Sequence, residues 1–223
     1  VLGGGGTNTV DYSTVSGVVI VDLNGNQNTM KYFGTFGRDE LSNITNVIGS
    51  PFGDTLSGDA TPNVLSGGDG VDTLQGRESG DTLNGDADND RLFGDVGDDT
   101  LNGGTGNDIL IGIDGNDTMS GGSGNDTFVI DLAGNAALGA DVISDYQFAG
   151  TDTLYFIGVT DFSGDIIINN ADVAAITTFA DSGADLLISF AGGGSIRLTG
   201  HAGLGISSLA SFISNGGDVV VSP

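Results

Sequence analysis

From residue 49 to residue 129 an acid, or once its amide, recurs at every ninth position: Asp54, Asn63, Asp72, Asp81, Asp90, Asp99, Asp108, Asp117 and Asp126. Each sits sixth in a nine-residue unit. Every unit opens on glycine, at 49, 58, 67, 76, 85, 94, 103, 112 and 121, and carries a large apolar residue eighth: Leu56, Leu65, Leu74, Leu83, Leu92, Leu101, Leu110, Met119 and Phe128. If the units stack, the acids form columns whose neighbours lie about one strand spacing apart, roughly 4.8 Å. Like charges at that distance repel by about 1 kcal/mol per pair even in water, and more when partly buried. A hard divalent cation between successive turns reverses the sign, since it takes six or more oxygens and carboxylates and turn carbonyls both supply them. The chemistry of this spacing is metal coordination by oxygen.

Other chemistries lack their residues. There is no Cys, so neither disulfides nor thiolate metal sites can form. His201 is the only histidine and reads as a solvated loop residue. Neither a G-x-S-x-G elbow nor an HExxH helix is present. Loops such as GGTGND lack the lysine of a phosphate cradle and carry Asp instead, which repels phosphate. The pair Asp98–Asp99 has the residue types of a glycosidase, but Asp99 already belongs to the ladder. Asp59, Asp86, Asp95 and Asp114 fall in turns beside the sixth places and read as solvated or supporting groups before direct ligands. Lys31, Tyr32, Phe33, Phe36 and Arg38 form the one basic-aromatic cluster, read as core packing before partner contact.

The best-formed units, GGDGVDTLQ, GGTGNDILI and GGSGNDTFV, resemble the calcium-binding nonapeptide GGxGxDxUx of the RTX (repeats-in-toxin) family. The resemblance implies an all-β fold, a right-handed parallel β-roll, with calcium as the cofactor. Its ligands would come from the acids above, from Asn63, and from the glycine-rich turns: Gly67, Gly68 and Gly70; Gly94 and Gly97; Gly103, Gly104 and Gly106; Gly112 and Gly115; Gly121, Gly122 and Gly124. About six to eight ions are expected. The segment DVISDYQFAGTDTLYF resembles the sequence after the last repeat in serralysin-type proteases. In that family the C-terminal region carries a type I secretion signal, and Asp218–Val221 occupies a comparable place. The family setting is a secreted, extracellular or surface-bound bacterial protein whose roll folds on meeting calcium and stabilises or anchors an upstream domain. The alternative, also from the family, is calcium-dependent polysaccharide binding, as in mannuronan epimerases, or surface-layer self-assembly.

The elements that must position the acids follow from the unit. Six residues make a glycine-rich turn and three, x-U-x, a short strand pointing its apolar residue inward. Glycines at places 1, 2 and 4 are assigned positive φ. Two units form one 18-residue rung, so alternate acids share an edge: 54, 72, 90, 108 and 126 on one, 63, 81, 99 and 117 on the other. That leaves at least six acid-to-acid gaps for ions. Phe52, Thr61, Ser79 and Asp88 replace glycine at place 4, where a side chain strains a left-handed turn. The stretch from Gly94 to Val129 keeps glycine at place 4 and Asp at place 6, and is expected to hold ions most tightly.

Residues 1–48 read as a degenerate unit (Gly3 to Asp11, with Asn8 in the acid place) and a spacer rung. Within the spacer, 15–23 is a strand, 24–28 a turn, and 41–50 a rung entering the array. Residues 49–129 are the array. Residues 130–223 read as a β-rich cap, since repeat stacks need an atypical closing unit. Its strands are placed at 141–146, 152–158, 164–169 and 218–221, with a hairpin over 185–200 and a short helix over 206–213. The chain opens without Met inside a repeat and is expected to be the C-terminal part of something larger. The composition, 30 acids against 5 bases and net −25, disfavours nucleic acid and anionic membranes and attracts divalent cations. No apolar run reaches membrane-spanning length. With one inward side chain per nine residues, the apolar seam cannot offset the ordering of the backbone unaided, so metal binding must contribute to folding.

Overall fold

The computed structural model describes residues 4–24, 28–32, 40–131, 139–147, 152–157, 176–181, 185–190, 195–199 and 218–221. They form two ten-stranded sheets and, among the described residues, no helix. In spatial order the first sheet contains β1 (Thr9–Asp11), β5 (Asn46–Ile48), β7 (Val64–Gly68), β9 (Thr82–Ala87), β11 (Thr100–Thr105), β13 (Thr118–Ser123), β15 (Ala140–Ile143), β19 (Ser195–Thr199), β18 (Asp185–Phe190) and β17 (Ile176–Asp181). The second contains β20 (Asp218–Val221), β16 (Thr153–Ile157), β14 (Thr127–Asp131), β12 (Ile109–Asp114), β10 (Arg91–Val96), β8 (Thr73–Glu78), β6 (Thr55–Ser57), β2 (Val19–Asp22), β3 (Asn28–Tyr32) and β4 (Glu40–Leu41). From β5 to β16 consecutive strands alternate between the sheets, as an 18-residue rung requires, and the pairing within each sheet is parallel. This is a parallel β-roll.

The eighth-place residues set the register. In one sheet Leu56, Leu74, Leu92, Leu110 and Phe128 pair in sequence. In the other, Leu65, Leu83, Leu101 and Met119 do so. All nine side chains are completely buried between the sheets. The columns then continue into the flanks, from Phe128 to Leu154 and from Met119 to Ile143. The sheets therefore run unbroken across the boundaries placed at 48/49 and 129/130.

The strands are longer than the three residues read from the sequence. From β8 to β13 each has six, running from place 7 of one unit to place 3 of the next. Burial alternates along them, so the inward positions of each unit are the sixth-place acid, the eighth-place apolar residue and the next unit's opening glycine. That glycine belongs to the strand, not to the turn.

Of the flanking segments, the strands expected at 15–23, 141–146, 152–158 and 218–221 are present, with shifted or trimmed ends in the first three; residues 25–27 of the expected 24–28 turn lie outside the described residues. The 15–23 strand spans Val19–Asp22, and the 41–50 rung holds β5 and the last residue of β4. The 185–200 hairpin is the antiparallel pair β18–β19, and 218–221 pairs parallel with β16. The strand β17 carried no recognised signal. The expected strand at 164–169, the helix at 206–213, His201, Phe33, Phe36 and Arg38 lie outside the described residues.

Candidate metal centre

Stacking brings the acids into two hydrogen-bonded ladders. On one edge the backbone N–H of Asp54 donates to Asp72 Oδ1 (2.6 Å), Asp72 to Asp90 (2.8 Å), Asp90 to Asp108 (2.8 Å) and Asp108 to Asp126 (3.0 Å). On the other, Asn63 donates to Asp81 (2.7 Å), Asp81 to Asp99 (2.7 Å) and Asp99 to Asp117 (2.9 Å). Both ladders go one step beyond the repeats. Asp117 N–H donates to Asp141 Oδ1 and Asp126 N–H to Asp152 Oδ1, each at 3.1 Å. Sequence reasoning missed Asp141 and Asp152 because they follow their partners by 24 and 26 residues rather than 18. The signal available was an Asp two residues before an apolar strand residue, the same spacing as inside each unit.

In seven of these carboxylates one oxygen is thus engaged and the other is not. Oδ2 of Asp72, Asp81, Asp90, Asp99, Asp108, Asp117 and Asp126 is buried without a hydrogen-bond partner. A buried charged oxygen left bare is strongly unfavourable. Each faces the opening glycine of its own unit. A Cβ built on Gly103 would stand 2.4 Å from Asp108 Oδ2 and 2.6 Å from the Gly121 carbonyl oxygen of the next rung. The same pairing of acid and carbonyl oxygens surrounds Gly67, Gly76, Gly85 and Gly94; at Gly112 and Gly121 the nearest atoms belong to the acid alone. The glycines at place 1 were expected to supply positive φ, and none does. Their role is clearance, because any side chain would fill the space onto which two oxygens converge.

Bare carboxylate oxygens beside inward carbonyls in a space kept free of side chains fit a hard cation. No group of three Asp, Glu, His or Cys converges among the described residues. The acids therefore meet at most in pairs, and backbone carbonyls must complete any coordination shell, as calcium accepts readily.

Places 2 and 4 do carry the left-handed backbone. Gly68, Gly104 and Gly122 at place 2 have positive φ, as do Gly70, Gly97, Gly106, Gly115 and Gly124 at place 4. Ser79 (φ 75°) and Asp88 (φ 74°) are forced into the same conformation, whereas the turns holding Phe52 and Thr61 avoid it. Strain also falls where it was not expected. At place 2, Arg77, Asp86, Asp95 and Ile113 all have positive φ, the last at 87°. The stretch from Gly94 onward is therefore not uniformly relaxed.

Asp54 and Asn63 keep their places in the ladders, but their oxygens already have donors. Asp54 Oδ2 accepts the Ser50 N–H, and its Oδ1 the Val19 N–H (2.6 Å) and the Ser50 hydroxyl (2.9 Å). Asn63 Oδ1 accepts the Asp59 N–H (2.8 Å), while its amide donates to the Thr45 carbonyl (2.8 Å). Of the turn acids, Asp95 accepts from the Gln75 amide and Asp59 caps Thr61. Asp114 Oδ1 is buried without a partner. Asp98 is exposed where Asp99 is buried, so that pair faces opposite sides of the chain.

Burial dominates the electrostatics. It pushes the carboxyls of Asp72 and Asp141 up to about 8, those of Asp81, Asp90 and Asp117 to about 7, and those of Asp99 and Asp126 to about 6. Asp108 and Asp54 shift the same way. The ladder N–H bonds oppose the rise, and neighbouring carboxylates add to it at Asp72, Asp90 and Asp117. Without a counter-ion Asp72 and Asp141 resist ionisation at neutral pH.

The model of the RTX calcium-binding nonapeptide repeat matches four overlapping stretches, residues 48–83, 66–101, 75–110 and 93–128. The chain carries RTX calcium-binding repeats. They coincide with the part of the roll in which the bare carboxylates stand. Among solved structures, the R3 subunit of the mannuronan C5-epimerase AlgE6 of Azotobacter vinelandii is similar at 27% identity, over 56% of this chain and 73% of that one, with a TM-score of 0.41. The extracellular lipase LipA of Serratia marcescens is similar at 16% identity, over 83% of this chain and 44% of that one, with a TM-score of 0.38. No curated protein matches. Among the described residues no helix is long and apolar enough to cross a membrane.

Proposed function

We propose that this RTX-repeat roll is a calcium-triggered folding module of an exported bacterial protein. It stays unfolded where free calcium is scarce, passes a type I exporter, and folds outside the cell to stabilise or anchor a domain that precedes it. These residues themselves catalyse nothing. The observation that carries the reading is the set of seven buried carboxylate oxygens without donors. Ionised and bare, they oppose the folded state. Bridged by calcium to the neighbouring carbonyls, they become its main cross-links, and binding free energy becomes folding free energy. The seven ladder acids with a bare oxygen, Asp72, Asp81, Asp90, Asp99, Asp108, Asp117 and Asp126, are assigned as ligands, together with carbonyls of the glycine-rich turns.

Circular dichroism in excess chelator and in millimolar calcium tests this. A largely unstructured chain should become β-rich, cooperatively in metal. Magnesium should substitute poorly because it holds its water and demands a small octahedral shell. A native-like spectrum in chelator would refute the folding switch.

A further inference from the structure

Granting that the ladders hold calcium, we propose that the row of ions is displaced toward the C-terminus relative to the repeat array, closed at its start by protein N–H groups and completed at its end by Asp141 and Asp152.

At the start, the space that the pattern reserves for a cation is already served. The Ser50 N–H points at Asp54 Oδ2, and the Asp59 N–H at Asn63 Oδ1. A donor aimed at that oxygen sets its positive end where a cation would have to stand. Both residues hold place 2 of their units, and neither has the positive φ found at that place in every later unit of the array. The first unit on each edge is thus satisfied by protein alone.

At the other end the situation is reversed. Asp117 and Asp126 are each 1% exposed, and their Oδ2 atoms are bare. The array offers them no further acid; the cap does. Asp141 and Asp152 accept the backbone N–H of Asp117 and Asp126 through Oδ1, the same bond by which every ladder acid is tied to the rung before it. They are 3% and 1% exposed. Asp152 Oδ2 then accepts the Gln147 N–H (2.8 Å) from five residues upstream, much as Asp54 Oδ2 accepts Ser50 from four. On that edge the row is stoppered at both ends by the same device.

The result is four gaps on one edge (72/90, 90/108, 108/126, 126/152) and three on the other (81/99, 99/117, 117/141). They equal the seven bare oxygens in number. The 54/72 gap is not a site, and the last ion on each edge straddles array and cap. Closure of the cap is therefore a metal-dependent step, not a separate folding event.

The test is the number of calcium ions bound by the full chain, read by native mass spectrometry and calorimetry on wild type, Asp54→Asn, Asp141→Asn and Asp152→Asn. Asparagine keeps the Oδ1 acceptor of the ladder bond and removes the charge. Wild type and Asp54→Asn should bind the same number, and each cap variant one fewer. Unchanged counts in both cap variants, or a lost ion in Asp54→Asn, would overturn the proposal. A wild-type chain that binds no calcium would instead overturn the reading beneath it. If a cap variant does not fold, terbium in the wild type decides. Tyr146 is buried and donates its hydroxyl to the Asp152 carbonyl (3.1 Å), so it should sensitise an ion held at Asp126 and Asp152. Emission lost in Tyr146→Phe supports the site, and wild-type emission independent of Tyr146 overturns it.

Discussion

Replacing Gly103 with alanine isolates the cation's space from every other property of the turn. Gly103 does not have positive φ, so alanine is acceptable to the backbone and only the new methyl group matters. That methyl would lie 2.4 Å from Asp108 Oδ2, 2.6 Å from the Gly121 carbonyl oxygen and 2.9 Å from Asp108 Cβ. Ordinary contact begins about 1 Å further out, and the two oxygens are those assigned to the ion. Overpacking of this kind costs about 1–3 kcal/mol, which corresponds to a roughly 5- to 150-fold weaker binding constant. The calcium midpoint, followed by far-ultraviolet circular dichroism, should rise by a factor in that range, and calorimetry should show one weakened or missing ion. Thr105→Ala, at an exposed position two residues on, is the control and should stay within about 0.5 kcal/mol of wild type. A Gly103→Ala chain with a midpoint within about twofold of wild type would refute the assignment of the cradle to the ion.

Asp108→Ala removes an acid from two gaps and leaves the Asp90 N–H buried without its acceptor, a loss of about 1–3 kcal/mol even at saturating calcium. Asp98→Ala, an exposed neighbour of the ladder, should move the thermal midpoint far less; equal effects would show that ladder position is irrelevant. Folded-state carboxyl values raised from 3.8 to between about 6 and about 8 mean that the metal-free roll binds more protons than the unfolded chain across that interval. Its stability is therefore greatest below 3.8 and falls as pH rises toward about 8. In chelator, β-structure should be greater at pH 5 than at pH 8, while the calcium midpoint should rise on acidification because protons compete for the same oxygens; the opposite trend in chelator contradicts the burial argument. Ile113→Gly relieves a β-branched residue at φ 87°. After the entropy that glycine gives up, it should raise calcium-saturated stability by about 1 kcal/mol, a gain visible in thermal melts and refuted by a loss.

Much of this was legible because the pattern is redundant. Nine apolar residues in one register fix the inward columns, and an 18-residue rung then assigns every acid to an edge. What was hidden lacks periodicity or a side chain. Asp141 and Asp152 continue the ladders, but the intervening chain is longer, so a search by spacing stops at Asp126. The opening glycines look like turn residues, since nothing in their type separates a demand for positive φ from a demand for empty space. That misreading shortened the strands to three residues. The N–H groups of Ser50 and Asp59 could not be foreseen either, because their direction depends on backbone conformation at place 2. Ile113 in a left-handed conformation runs against its own preference and is imposed by the stack.

Consecutive strands alternate between the two sheets, and the cap is asymmetric: β15 meets the sheet of β13, and β16 the sheet of β14. The array can therefore grow or shrink only in whole rungs. Removing 18 residues returns every downstream strand to its own sheet, with both ladders shorter by one step. Removing nine sends each downstream strand to the opposite sheet, so that β15 would face the column built for β16, and Asp141 and Asp152 would exchange edges. A point mutation disturbs one turn; a nine-residue slip inverts the whole C-terminal half. Length in this chain is quantised in pairs of repeats.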